Sequence, residues 1–496
     1  MKNLLTSEQM HAADAYTIKE TPIAAIELIE AASTAFVNVF AEEVPDKETA
    51  IAVLCGKGNN GADGLAIARL LKDSGYTKIS VHLILFSTKQ TDGYKINLGR
   101  LEDLWFPINK ITAAGGVRDL KADVVIDAIL GSGLNKPLTG QYLELVNLLN
   151  ELERKVYAVD VPTGFPSEGP ISANNVCIKT DLVICFERPK LTFFFPESAA
   201  ALRRFCVVPI GVDQHFIESV ASSYHLVDSA AITELIAPRK IFTHKGTYGH
   251  ALIVAGQQDT MGAALLAAMS CLHSGAGLTT VSIPETGLTA LNSLLPEVMY
   301  LNRESLADIK AEKYKSIGVG PGLGTDKESV KLLERLIQLQ HPLIIDADAL
   351  NILSDRKDLL EDLPADSVLT PHMKEFDHLF GAHESWWDRL QTARSKAKEL
   401  SCIIILKNQY TFIVNQEGNV YINPTGNPAM AQGGMGDVLT GMVCSFVAQA
   451  YTSLEAAYIA CYLHGMTGDE LAAHSVSVTA SDLAKHLSIT LKGLIK

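Results

Sequence analysis

Short apolar runs alternate along the chain with longer segments whose apolar positions fall every three or four residues. The runs at 50–55 (AIAVLC), 79–86 (ISVHLILF), 123–129 (DVVIDAI), 156–161 (VYAVDV), 181–186 (DLVICF) and 205–210 (FCVVPI) read as strands. Helical patterns separate several of them, as at 62–74, and an Ala-rich amphipathic lead-in occupies 8–42. Strands alternating with helices predict a parallel sheet covered on both faces. A weakly patterned stretch near 216–242 interrupts the series. Beyond it come strands at 250–255, 278–283, 315–319, 342–346, 366–370, 402–407 and 411–415. Helices are predicted near 260–275, 326–340, 385–400, 436–450 and 453–473. The halves share no obvious repeat, so the expectation is two different three-layer α/β/α domains, 1–222 and 223–496.

Composition narrows the class. A chain of 496 residues exceeds one ordinary core. Hydrophobic content of 47% and charged content of 20% fit a compact enzyme. The net charge of −14 argues against nucleic acid or an anionic membrane as the main partner. None of the eight cysteines forms a C-x-x-C pair and most sit in apolar runs, as reduced core thiols of a cytoplasmic protein do. The N-terminus turns polar at once and no uninterrupted apolar stretch reaches the length of a membrane span, so neither a signal peptide nor a span is expected.

Candidate chemistry concentrates at 426–441, GNPAMAQGGMGDVLTG. Gly433, Gly434 and Gly436 leave backbone N–H groups bare at a predicted helix entry, where partial positive charge suits a phosphate. Asp437 follows, costly there unless it works as a base or a cap. A phosphate cradle beside a carboxylate resembles the anion hole and catalytic base of the ribokinase-like superfamily.

In the first half, GKGNNGADG at 56–64 satisfies G-x-G-x-x-G between a strand and a helix. The same spacing also serves a plain βα turn. The acid that ordinarily ends the second strand of an NAD-binding fold is replaced by Ser87, Thr88 and Lys89, which argues against a dehydrogenase. Asp127 lies in a strand that runs into Gly131-Ser132-Gly133-Leu134-Asn135-Lys136-Pro137, and another strand ends in Asp160-Val161-Pro162-Thr163-Gly164. Ligands of open parallel sheets sit off such strand ends. Taken singly, Asp160 also reads as a cap and Lys136 as a solvated loop lysine.

NNGADG, GSGLNKP and VDVPTG, in this order, resemble the YjeF N-terminal family of NAD(P)H-hydrate epimerases, a Rossmann-like fold, across about 1–217. The resemblance implies that Asn59, Asn60, Gly61, Ala62 and Asp63, the 131–137 loop (Gly131, Ser132, Gly133, Leu134, Asn135, Pro137) and Asp160 line the hydrate site. It implies a potassium ion on Asn60, Asp127 and Thr163, and an acid–base pair of Lys136 and Asp160. Ala62 departs from the family's usual glycine and removes no functional group.

In the second half, HKGTYGH (244–250), GPGLG (320–324), DADALN (346–351), LTPH (369–372) and the 426–441 stretch resemble, as an ordered set, the ADP/ATP-dependent NAD(P)H-hydrate dehydratase domain across about 226–496. His372 alone also reads as a structural histidine. The resemblance implies a ribokinase-like fold, with Ala263, Gly322, His372 and Asp437 at the hydrate. It places Lys407, Asn408, Gln409, Tyr410, Thr411, Gly434, Met435 and Gly436 at the nucleotide. Met435 stands where the family commonly has threonine, at a position that supplies mainly a backbone amide.

Together the resemblances imply repair of NADHX and NADPHX, with ADP or ATP as co-substrate, Mg2+ on its phosphates, K+ in the first domain, and a homo-oligomer, tetramer or larger. The alternative is a ribokinase-like small-molecule kinase carrying a non-catalytic N-terminal binding module.

Overall fold

In chain order the strands are β1 (Lys2–Asn3), β2 (Ile51–Cys55), β3 (Ile79–Ile84), β4 (Ile108–Ile111), β5 (Val124–Ala128), β6 (Lys155–Val159), β7 (Leu182–Phe186), β8 (Phe205–Val208) and β9 (Tyr224–Leu226). They continue with β10 (His250–Val254), β11 (Leu278–Ile283), β12 (Met299–Asn302), β13 (Ser316–Val319), β14 (Leu343–Ile345), β15 (Val368–Leu369), β16 (Ile403–Leu406), β17 (Thr411–Val414) and β18 (Val420–Asn423). This computed structural model describes residues 1–21, 23–134 and 136–495. The chain separates into two units, Asn3–Ser222 with Ser385–Trp387, and Met1–Lys2 with Ser223–Glu384 and Asp388–Lys496.

The Asn3–Ser222 unit holds a seven-stranded sheet in the order β4-β3-β2-β5-β6-β7-β8. Every pairing in it is parallel. After β2 the chain builds outward through β3 and β4, then returns to place β5 on the other side of β2. The connections leaving β2 and β5 therefore diverge and open a crevice at their carboxyl ends, where doubly wound sheets bind ligands. β2, β5 and β7 are buried along their whole length, as strands covered on both faces are.

The expected lead-in at 8–42 is instead two helices, Ser7–Glu20 and Ala25–Glu43. Pro22 has no N–H with which to continue a helix. The first helix opens with a capping box in which Thr6 and Gln9 satisfy each other's backbone donors. The short edge strand β4 escaped the pattern because its central residues, Asn109 and Lys110, are polar and exposed.

The second unit's sheet runs β1-β9-β18-β17-β16-β15-β14-β13-β10-β11-β12. It has its own switch point between β10 and β13. The sheet is not parallel throughout: β16, β17 and β18 pair antiparallel. The physical reason lies in the loop. Lys407 to Tyr410 is too short for a parallel crossover and long enough only for a hairpin. The polar-ended or short strands β9, β12 and β18 were also missed, as were helices such as Ala347–Asp355, Met373–Phe380 and Ala480–Leu494.

Two close-packed helices carry the second unit's centre. Met261–His273 is Ala-rich and Met435–Ala448 is apolar on most positions, and residues of both enter one buried cluster with β10 and β11. Among the described residues no single helix is long and apolar enough to cross a membrane. The eight cysteines are unpaired and mostly buried.

Candidate functional site

At the switch point of the first unit lies a cavity of about 790 Å³ lined by Asn59, Asn60, Asp63, Gly131, Ser132, Gly133, Leu134 and Asp160. Asn59 and Asn60 open the helix Asn59–Asp73, which Gly58 caps. The turn before it is exceptionally tight: a Cβ on Gly61 would stand 1.8 Å from the Gly56 carbonyl oxygen, and one on Gly56 would stand 1.9 Å from that of Ile129. Gly61 is thus a packing residue, and the buried Ala62 accepts a bond from Asn97 Nδ2 at 3.2 Å. Neither lines the cavity.

Asp160 follows β6 with φ +62°, a left-handed conformation that aspartate tolerates better than most side chains. Its Oδ1 accepts bonds from Phe186 N at 3.1 Å and Lys190 Nζ at 2.9 Å. Lys190 is buried. Burial pushes its ammonium pKa down, but Asp160 outweighs that and holds it above the ordinary value. The cation paired with Asp160 in this structure is Lys190. Lys136 and Pro137 line a neighbouring cavity with Lys57 and Lys89. Asn135 lies outside the described residues. The signal for Lys190 was a pair of cations, Arg188 and Lys190, just before the apolar run LTFFF.

Two further carboxyl groups share the cavity. Burial raises Asp14 to about 6, a shift that His11 opposes and Asp160 reinforces. Burial raises Asp63 well above the carboxylate range, with Asp160 and Asp14 adding to it. No sequence signal marked Asp14; it sits in an ordinary amphipathic helix.

Asp127 and Thr163 lie beneath the cavity floor and are fully buried. Thr163 donates from N and Oγ1 to the two oxygens of Asp127, both at 2.7 Å, and its Oγ1 accepts from Leu130 N at 2.9 Å. Burial lifts Asp127 to about 6 against these bonds. The buried Nδ2 of Asn60 has no partner within the protein. An amide's N and O are interchangeable in such an assignment, so this position equally suits an oxygen facing a cation. An oxygen-only donor set fits a weakly hydrated monovalent ion.

In the second unit the helix Met435–Ala448 begins at Gly434, whose φ is +90° and whose Cβ, if present, would meet Leu266 Cδ1 at 2.6 Å. Both facts demand glycine. Asp437 stands in the first helical turn, half-buried. Burial raises it to about 7, aided by Asp346 and opposed by Lys407. Lys407 Nζ lies 2.8 Å from Asp346 Oδ1 and 3.9 Å from Glu375 Oε2. Asp346, almost wholly buried, also accepts from Thr440 Oγ1 at 2.7 Å. Its burial would raise its pKa, yet Lys407 and these bonds hold it below the usual range. A Cβ on Gly436 would lie 3.1 Å from Lys407 Nζ, so the ammonium sits directly against the glycine-rich helix entry.

The remaining predicted residues divide. Lys407, Asn408, Gln409, Thr411, Met435 and Gly436 line a cavity of about 320 Å³ with Asn423, Thr425, Asn427, Met430, Cys461 and His464. Tyr410 and Gly434 do not line it. His464, missed from sequence, bonds Met435 O at 3.1 Å, and burial lowers it to about 4, so it is neutral and donates. Thr260 joins Ala263 to Gly322: the Ala263 N–H donates to its carbonyl, and its Oγ1 donates to Gly322 O at 2.7 Å. His372 caps Met373–Phe380, its Nδ1 accepting from Lys374 N and Glu375 N. Its Nε2 lies 3.4 Å from Glu375 Oε1, and strand pairing holds it beside Lys407. Among the described residues no group of three or more His, Cys, Asp or Glu is arranged to hold a metal.

Each unit therefore carries an enzyme-like site, one at the switch point of a Rossmann-like sheet and one built as a kinase's phosphate cradle. A family model described as NAD(P)H-hydrate dehydratase matches residues 251–489, and one described as YjeF-related protein N-terminus matches 25–192. The chain is 32% identical to the bifunctional NAD(P)H-hydrate repair enzyme Nnr of Moorella thermoacetica, covering 99% of this chain and 97% of that protein. It is 30% identical to the enzyme of that name from Coxiella burnetii, over 95% and 96%. Among solved structures, an ADP/ATP-dependent NAD(P)H-hydrate dehydratase from Bacillus subtilis, co-crystallised with ATP and Mg2+, is 31% identical with a TM-score of 0.50, covering 54% of this chain and 98% of that one. A ribokinase-like superfamily protein from Enterococcus faecalis is 28% identical with a TM-score of 0.51, over 56% and 98%. The chain belongs to the bifunctional NAD(P)H-hydrate repair enzymes.

Proposed function

We propose that residues 1–222 interconvert the R and S forms of hydrated NADH and NADPH, and that residues 223–496 dehydrate the S form with ADP or ATP. The observation that carries the second half is Asp437: a carboxyl poised near neutrality, one turn into a glycine-capped helix and beside Lys407.

Restoring the dihydronicotinamide ring means expelling the hydroxyl at C6, a poor leaving group. Phosphorylation solves this. Asp437 takes the hydroxyl proton while the oxygen attacks the terminal phosphoryl group of the nucleotide. The backbone amides of 434–436 and the helix N-terminus receive the developing charge. Phosphate then leaves from C6 as C5 loses its proton, and the double bond re-forms. The nucleotide lies in the cavity of Lys407, Asn408, Gln409 and Thr411. Asp346 and Glu375, beside Lys407, would offer oxygen donors to Mg2+, which would supply positive charge at the nucleotide's phosphates. Ala263, Gly322 and His372 border the hydrate.

In the first half Asn59, Asn60, Asp63, residues 131–134 and Asp160 hold the hydrate, and Asp160 with Lys190 supplies proton transfer. Asn60, Asp127 and Thr163 would hold K+, which supplies fixed positive charge under the cavity floor. The protein works in the cytoplasm as a homo-oligomer. The test is direct: purified protein receives a mixture of R and S hydrates of NADH with ADP and Mg2+. Full return of the near-ultraviolet dihydronicotinamide band supports the reading. Accumulation of a stable phosphorylated product would refute it in favour of a kinase.

A further inference from the structure

We propose that Asp14 is a second catalytic acid–base group of the first unit, acting on the face of the hydrate ring opposite to Asp160. The proposal rests on the epimerase reading above and adds a residue that precedes the 25–192 segment matched by the family model.

The argument begins with the bond to be inverted. The hydroxyl-bearing C6 is attached to ring nitrogen N1, so the hydrate is a carbinolamine. Its C6–O bond breaks with the electron pair going to oxygen, which takes a proton from an acid and departs as water. The N1 lone pair closes a C6=N1 double bond and leaves the nitrogen cationic. Water then adds to C6 from the other face, the π pair returns to N1, and the incoming water gives one proton to a base. Atoms and electrons balance with no oxidant or reductant. One proton enters on one face and one leaves on the other, so a single carboxyl group cannot serve both steps without the ring turning over.

Two different elements bring carboxyl groups to the cavity. Asp160 reaches it from the end of β6, carrying Lys190 Nζ at 2.9 Å. Asp14 reaches it from the helix Ser7–Glu20, whose Met10, His11 and Ile18 line the same space. The groups facing Asp14 are His11 at 4.0 Å on its own helix and, from the sheet side, Asp160, Lys190 and Glu187; Asp63 comes from the helix Asn59–Asp73. Asp160 is ion-paired, while Asp14 is raised toward neutrality by burial, and two carboxyl groups in unequal environments are the usual arrangement for an acid and a base. Asp63 shares the cavity, and burial, Asp160 and Asp14 raise it well above the ordinary carboxylate value.

The experiment uses the full chain and each epimer of hydrated NADH separately. Asp14→Asn should lower the epimerisation kcat by about 10²–10⁴-fold with KM little changed, and leave dehydration of the S form at the wild-type rate, which also reports folding. Asp14→Glu should restore part of the loss. The wild-type pH–rate profile should bend near pH 6, and Asp14→Asn should remove that bend. In water enriched in oxygen-18, each inversion should place one labelled oxygen at C6. Wild-type kcat in Asp14→Asn, inversion without label, or loss of the bend in Asp63→Asn instead would overturn the proposal while the epimerase reading stands. A wild type that does not interconvert the epimers would overturn that reading and the proposal with it.

Discussion

Replacing Asp437 by asparagine should inactivate the dehydratase and stabilise its fold at once. The carboxyl is raised from 3.8 to about 7, first by burial and then by Asp346. A group whose folded pKa lies above its unfolded value makes the folded state less stable as pH rises past the unfolded pKa, and the loss is complete above the folded pKa. Each pKa unit is worth about 1.36 kcal/mol, so at pH 8 the ionised carboxylate opposes folding by about 2–4 kcal/mol once partial solvent contact is allowed for. Asparagine has the same shape and no charge, and relieves that opposition. The rate should fall by about 10²–10⁴-fold, because an amide cannot take the hydroxyl proton. The assay pairs turnover of the S hydrate with denaturant unfolding of the second unit at pH 8 and at pH 5, where the gap between variant and wild type should shrink to roughly a third to a half. Nucleotide affinity, measured by calorimetry, should change far less, since Lys407 and the backbone amides are untouched. Near-normal turnover, or a variant less stable than wild type at pH 8, would refute the reasoning.

Dehydratase kcat/KM should rise roughly tenfold between pH 6 and pH 8 as Asp437 ionises; a flat profile would place the base elsewhere. Lys407→Met strands the buried Asp346 carboxylate and should cost about 3–5 kcal/mol of stability along with dehydration, read by thermal unfolding. Lys190→Met should abolish epimerisation and spare dehydration in the same chain, whereas Lys136→Met should leave the Asp160–Lys190 pair intact; comparable loss in both would return Lys136 to the acid–base pair. Exchanging potassium for lithium should slow epimerisation selectively, checked by the rate at which R hydrate becomes available to the dehydratase.

The glycine-rich entry before Asp437 and the two α/β series were legible because their causes are local. Bare backbone donors need glycine, and buried strands need continuous apolar runs, whatever the rest of the chain does. The runs on either side of Lys407 to Tyr410 were both read as strands, and the shortness of the loop between them dictates a hairpin. What the chain order could not carry was contact between distant segments. Asp160 meets Lys190 rather than Lys136 because β6 and β7 are neighbours in the sheet, and Asp14 faces both because of how its helix docks. The raised pKa of Asp437 likewise follows from burial and from Asp346, against Lys407, groups brought in by different strand ends. Sequence by itself determined which elements form and which loops offer anion-binding backbone. Tertiary structure alone decided which charges share a cavity, since burial and Coulomb interactions act through space and depend on separations that spacing along a chain does not encode.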